Sequence, residues 1–274
     1  MNTLTATRIK CVRDFRLWIS TLPGAIAAAA IALSLAAGYV EAAPTEPVKN
    51  IVLVHGAFAD GSSWARVITI LQAKGYNPTA VQLPLTGFAD DVAATNRAID
   101  RQTGPVILVG HSWAGVVITE TGTDPKVVGL VYVAAFAPDA GEVVGDLGKP
   151  YPPPPALANP IVDKQGFMTM PVDAFVEHFA QDLPPAEARV AFAVQKPIIA
   201  SAFATKVTSV AWKTKPSWYI VSKQDGAIAP DLERFFAKRM KATTTELNTS
   251  HVAMLSKPNE VAAVIMDAAG KAPH

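Results

Sequence analysis

Short unbroken apolar runs alternate along this chain with segments whose apolar residues recur at helical spacing. Ile51-Val-Leu-Val54 is continuous and β-branched, which predicts a strand buried on both faces. Ser62 or Ser63 is placed to cap a helix running from about Trp64 to Lys74, with Gly75 ending it. A strand near Thr79 to Leu83, a helix from about Asp90 to Arg101 and a strand at Val106 to Val109 come next. A helix at about Ala114 to Thr121 and a strand at Val127 to Ala134 complete this stretch.

The rhythm breaks after Phe136. Pro150 to Pro160 holds six prolines, and only Val172 to Ala180 and Pro185 to Val194 read as short helices. It resumes with a strand at Trp218 to Val221, a helix from Asp231 to Met240, a strand at Thr244 to Leu247 and a helix from Asn259 to Ala269. Strands separated by helices predict an α/β architecture, a mostly parallel twisted sheet of about six strands flanked by helices. The irregular segment, about 137–210, reads as a helical cap inserted over the carboxyl ends of the strands, where open α/β sheets bind their ligands.

Charge alters the picture mainly at the start of the chain. Arg8, Lys10, Arg13 and Arg16 precede a stretch without charge from Leu17 to Val40, and small residues around Ala42 and Ala43 follow. This is the pattern of an export signal over residues 1–42, cleaved near Ala42/Ala43, and it predicts a periplasmic or secreted protein. The competing reading is an uncleaved membrane anchor, against which stand the weak hydrophobicity of alanine and the interruption at Pro23-Gly24. The 274 residues carry a formal charge of +1, and Cys11 is the single cysteine. Removing residues 1–42 takes away that cysteine, four basic and two acidic side chains, leaving −1 over 43–274. Near-neutral charge gives no footprint for nucleic acid or an anionic membrane, and 232 residues can bury a core without disulfides. The oligomeric state is left open.

The chemistry concentrates in Gly110-His-Ser-Trp-Ala-Gly115, set between a β-branched strand and an apolar helix. A serine at such a corner is strained, with its hydroxyl exposed, and it needs small neighbours two positions away on each side. Gly110 supplies one, and Ala114 stands at the other. Ser112 is thus the candidate nucleophile, although a serine also caps helices well. Val54-His55-Gly56-Ala57-Phe58 follows the first strand, so the N–H groups of Ala57 and Trp113 are candidate oxyanion donors. Asp225 follows the strand ending at Val221 and His251 follows the last strand, giving the order Ser, Asp, His on successive loops. Asp124, Asp139, Asp146, Asp231 and Asp267 are rival carboxylates, each better suited to a turn or helix end. His55 and His111 flank glycines and read as loop braces. Five scattered histidines without ligand spacing suggest no metal.

On these residues, together with Trp64 and Tyr132-Val-Ala-Ala-Phe136, the chain resembles the α/β-hydrolase superfamily. More narrowly it looks like small esterases and related lyases with an HGA-type oxyanion loop. The resemblance spans nearly all of residues 48–270. It implies a parallel sheet lacking the usual first strands, a cap, and Ser112–His251–Asp225 catalysis without a cofactor. The expected activity is hydrolysis of a carboxylic ester of a small, fairly apolar substrate. Phe58 and Phe136 beside the catalytic loops are candidate substrate contacts, and Phe167, Met168, Met170, Phe175 and Phe179 are cap residues suited to a small core of their own. A same-fold lyase, a cofactor-free perhydrolase and a non-catalytic ligand-binding protein are the alternatives. Against the lyase, Ala57 and Phe58 stand where a threonine is expected.

Overall fold

The computed structural model describes residues 46–274, so the predicted export signal lies outside the described residues. β1 (Asn50–Val54) enters a turn of 3-10 helix at Gly61–Trp64 and then α1 (Ala65–Ala73). The predicted serine cap is corrected here. Asp60 caps this turn by accepting from the Ser62 N–H at 2.7 Å, and Ser62 and Ser63 lie inside it. Gly75 does end the helix, in the left-handed conformation at φ 77°.

β2 (Asn77–Val81) starts and stops two residues earlier than expected. Its early end is set by partners distant in sequence. The Leu83 N–H donates to His55 Nε2 at 2.9 Å, which takes it out of the ladder, and the Gln82 side chain accepts from the Gly61 N–H. Then come α2 (Phe88–Asp100), β3 (Val106–His111), α3 (Ala114–Thr121) and β4 (Val127–Val133).

Between β4 and the next strand of the large sheet, the chain builds more than the expected helices. β5 (Ile161–Val162), β6 (Phe167–Thr169) and β7 (Ile198–Ile199) form a small antiparallel sheet. Phe175–Phe179 is a single π-helical turn, and α4 spans Pro185–Ala193. Strands of two or three residues are too short to show an alternation in sequence, so only the helices of this region are visible there.

β8 (Ser217–Ser222), α5 (Pro230–Arg239), β9 (Thr243–Leu247) and α6 (Pro258–Lys271) complete the chain. The six long strands are all parallel in the order β2-β1-β3-β4-β8-β9. The central strands β3 and β8 are buried along their whole length, as their unbroken apolar runs require. The edges differ. β2 contains Pro78, tolerated because one side of an edge strand has no ladder to feed. β9 reads Thr-Thr-Thr-Glu-Leu and is largely exposed. Among the described residues, no helix is long and apolar enough to cross a membrane.

Candidate active site

The carboxyl ends of β1, β3, β8 and β9 carry the loops that hold Ala57, Ser112, Asp225 and His251. Ser112 sits at φ 56°, a conformation that costs a residue with a Cβ on the order of 1 kcal/mol or more. Three backbone hydrogen bonds hold it there. Its N–H donates to the Val133 carbonyl at 3.2 Å, and its carbonyl accepts from Gly115 at 2.9 Å and Phe136 at 3.2 Å. Glycine is indispensable around this corner. A Cβ on Gly115 would lie 2.1 Å from the Phe136 carbonyl oxygen, and one on Gly110 2.9 Å from that of Ala114. A Cβ on Gly56 would lie 2.7 Å from the Ser112 Cβ, so the loop after β1 presses directly on the elbow.

Asp225 and His251 meet at the far end. His251 Nδ1 donates to Asp225 Oδ2 at 2.5 Å, while Asp225 Oδ1 accepts from the Ala227 and Ile228 N–H groups at 2.6 and 2.8 Å. Because Nδ1 holds the proton, Nε2 keeps its lone pair, and it is buried without a hydrogen-bond partner. His251 and Ser112 line one chamber with Ala57, Trp113, Phe58 and Phe136. The Ala57 and Trp113 N–H groups are buried and donate to no acceptor among the described residues. Every rival carboxylate is engaged elsewhere. Asp124 accepts from the Lys126 N–H, Asp139 pairs with Lys213, Asp146 with Lys149, Asp231 with Arg234, and Asp267 with Trp218 and Lys271.

The two other buried histidines act as braces. His55 Nε2 accepts from Leu83, so its proton is on Nδ1 and donates to the Gly56 carbonyl at 2.8 Å. Burial lowers its pKa to about 4. His111 spans further than expected, because its Nε2–H donates to the His251 carbonyl at 2.9 Å and ties the end of β3 to the loop after β9. Burial, reinforced by the neighbouring His251, holds His111 well below the usual imidazole range.

Two buried carboxyls escape a reading of the sequence. Asp91, in the first turn of α2, accepts from the Trp113 indole N–H at 2.9 Å and from the Leu85 N–H at 2.8 Å, which fixes the residue after Ser112. Burial raises its pKa. Glu233, in the first turn of α5, accepts from the Ser222 N–H at 3.0 Å and lies against Asp225. Burial, and then the nearby Asp225 charge, push it well above the carboxylate range. In sequence, both are acidic residues near a helix N-terminus, which ordinary dipole complementarity explains equally well.

The cap closes over these loops. The Gln181 side chain donates to the Gln224 carbonyl, Asp182 accepts from the Ser250 N–H, and a Cβ on Gly226 would meet the His178 carbonyl oxygen at 2.2 Å. Of the five apolar cap residues expected to form a core, Phe179 lines the chamber and packs on His251 at a tilt of 52°, with ring centroids 4.7 Å apart. Phe175 packs on Phe179, Met170 is buried, and Phe167 and Met168 belong to the small sheet. Leu157 and Phe203, also in the chamber wall, carry no signal in the sequence. Among the described residues no group of three or more His, Cys, Asp or Glu side chains is arranged to hold a metal ion.

Comparison with known proteins agrees with this architecture. Residues 51–264 match the model of the alpha/beta hydrolase family, and the chain belongs to that family. It is 25% identical to the alpha/beta hydrolase nvfD of Aspergillus novofumigatus, over 81% of this chain and 97% of that protein. To a putative methylesterase 19 of Arabidopsis thaliana it is also 25% identical, over 81% of this chain and 98% of the relative. Among solved structures, a pyrethroid hydrolase from Sphingobium faniae JZ-2 superposes with a TM-score of 0.71 at 24% identity, covering 82% of this chain and 98% of that one.

Proposed function

We propose that this protein is a serine hydrolase that cleaves carboxylic esters of uncharged, fairly apolar substrates through an acyl-Ser112 intermediate. One observation carries the reading. Asp225 holds His251 in the tautomer whose Nε2 lone pair is free, inside the chamber that the strained Ser112 also lines. A serine hydroxyl is a weak nucleophile near neutral pH unless a base removes its proton during attack. His251 takes that proton as the Ser112 Oγ–carbon bond forms, and Asp225 stabilises the imidazolium. The carbonyl oxygen becomes an oxyanion and accepts from the N–H groups of Ala57 and Trp113. On collapse the bond to the alcohol oxygen breaks, and His251 returns the proton to that oxygen. Water then attacks the acyl-serine by the same route and releases the acid.

Relatives named as ester-cleaving enzymes support this reaction class. The lyase alternative lacks support, because no lysine lines the chamber among the described residues and Ala57 occupies the loop position. The export reading of residues 1–42 joins the proposal, and N-terminal sequencing of protein recovered outside the cytoplasm checks it. For the mechanism, the protein is incubated with a fluorophosphonate and digested for mass spectrometry. An adduct is expected on the Ser112 peptide and not in Ser112→Ala. An unlabelled Ser112 in wild type sinks the nucleophile assignment.

A further inference from the structure

The chamber over Ser112 has only about 10 Å³ of free space, yet two much larger cavities each share part of its wall. One, of about 450 Å³, shares Phe58 and Phe179 with the chamber and runs past Val252, Met254 and Leu255 to the cap at Ala186 and Val190. The other, of about 370 Å³, shares Phe136, Phe203, Ala227 and Ile228 with the chamber and reaches Gly148, Tyr151 and Lys149, whose ammonium is paired with Asp146 at 2.7 Å. Phe58 and Phe179 meet edge to face with centroids 6.4 Å apart and form the partition on the first side. Three charged side chains, Asp60, Arg66 and Glu187, stand in the wall of the larger cavity. Arg66 and Glu187 are bonded to each other at 2.7 Å, and Asp60 is occupied by the Ser62 N–H.

Building on the esterase reading above, we infer that the substrate is an ester with a bulky apolar group on each side of its carbonyl, the alcohol group occupying the 450 Å³ cavity and the acyl group the 370 Å³ cavity. The leaving oxygen must receive its proton from His251, so the alcohol extends from the histidine side. The larger cavity is walled by the residues that follow His251 and by Phe179, which packs against its ring. The acyl carbon stays bonded to Ser112 and extends the other way, past Phe136, whose N–H is tied to the Ser112 carbonyl. Cavities of roughly 300–1,000 Å³ hold drug-sized groups, and the methyl alcohol of a methyl ester would leave the larger one almost unfilled. Apolar burial on binding grows with the area covered, so each cavity favours the bulkier group.

Benzyl acetate and methyl phenylacetate separate the two sites, because they are isomers that put the same ring on opposite sides of the ester. Ala186→Trp fills the larger cavity from an exposed position, and Gly148→Phe fills the smaller one, where a Cβ meets nothing within 4 Å. The readout is the ratio of kcat/KM for benzyl acetate to that for methyl phenylacetate, which does not depend on the fraction of folded enzyme. We expect it to fall at least tenfold in Ala186→Trp and to rise at least tenfold in Gly148→Phe. Opposite changes, or no change in either variant, overturn the assignment while leaving the esterase reading intact. If wild type cleaves neither isomer nor any p-nitrophenyl ester, and Ser112 takes no fluorophosphonate, the underlying reading has failed and this one with it.

Discussion

Acid should destabilise this protein through a residue that takes no part in catalysis. His55 is fully buried, and both ring nitrogens are committed to backbone partners in its neutral form. Its pKa falls from 6.5 to about 4 on folding because burial opposes the charged imidazolium. Between those two values the unfolded chain binds more protons than the native one, so stability rises with pH across the window and is lost as pH falls through it. Each pH unit between the two values is worth about 1.36 kcal/mol, so His55 alone accounts for roughly 3 kcal/mol between pH 7 and pH 4. The upward shifts of Asp91 and Glu233, caused chiefly by burial, act in the opposite sense, so the total acid response does not isolate His55. The variant does. His55→Asn cannot titrate in this range, and urea unfolding of both proteins at pH 7 and pH 4 compares their losses directly. Whatever the variant's stability at pH 7, its loss on acidification should be smaller than that of wild type by about 3 kcal/mol. Equal losses would mean that His55 does not resist protonation in the fold, and the reasoning from burial would be refuted.

Asp225→Asn should lower kcat for a p-nitrophenyl ester by about 10³–10⁴-fold with circular dichroism unchanged, because the amide can donate and no longer fixes the His251 tautomer. Activity near that of wild type would move the acid elsewhere. Gly115→Ala should destabilise by about 1–3 kcal/mol, since the new methyl meets a backbone oxygen at 2.1 Å and the Ala135 Cβ at 2.9 Å. Gly148→Ala, opening onto free space, should stay within about 0.5 kcal/mol, and urea unfolding of both glycine variants against wild type checks the pair. Glu233→Gln should gain on wild type as pH rises. A carboxyl held protonated in the fold loses up to about 1.4 kcal/mol of stability per pH unit above its unfolded value, and the amide loses none. Parallel stability curves from pH 5 to pH 8 would show that Glu233 is ionised.

The sheet and the order of its loops are legible in the amino-acid sequence alone. Strands such as Val106–His111 and Ser217–Ser222 are buried on both faces, so their apolar runs are unbroken and visible without any partner. The glycines at 56, 110 and 115 are equally legible, because each marks a backbone approach that a Cβ would block. Features that depend on distant partners leave no such trace. Asp91 and Glu233 look like helix-dipole acids until the fold brings Trp113 to one and Asp225 to the other. The early end of β2 is decided by a hydrogen bond from Leu83 to His55, which local propensity does not weigh. The cap is the least legible region. Its strands are two or three residues long, and its walls around the chamber come from Leu157, Phe179 and Phe203, each ordinary as a core residue until packing turns it toward Ser112. Local periodicity is enough to specify a strand, whereas the two cavities flanking the serine exist only as the space left between loops far apart in the chain.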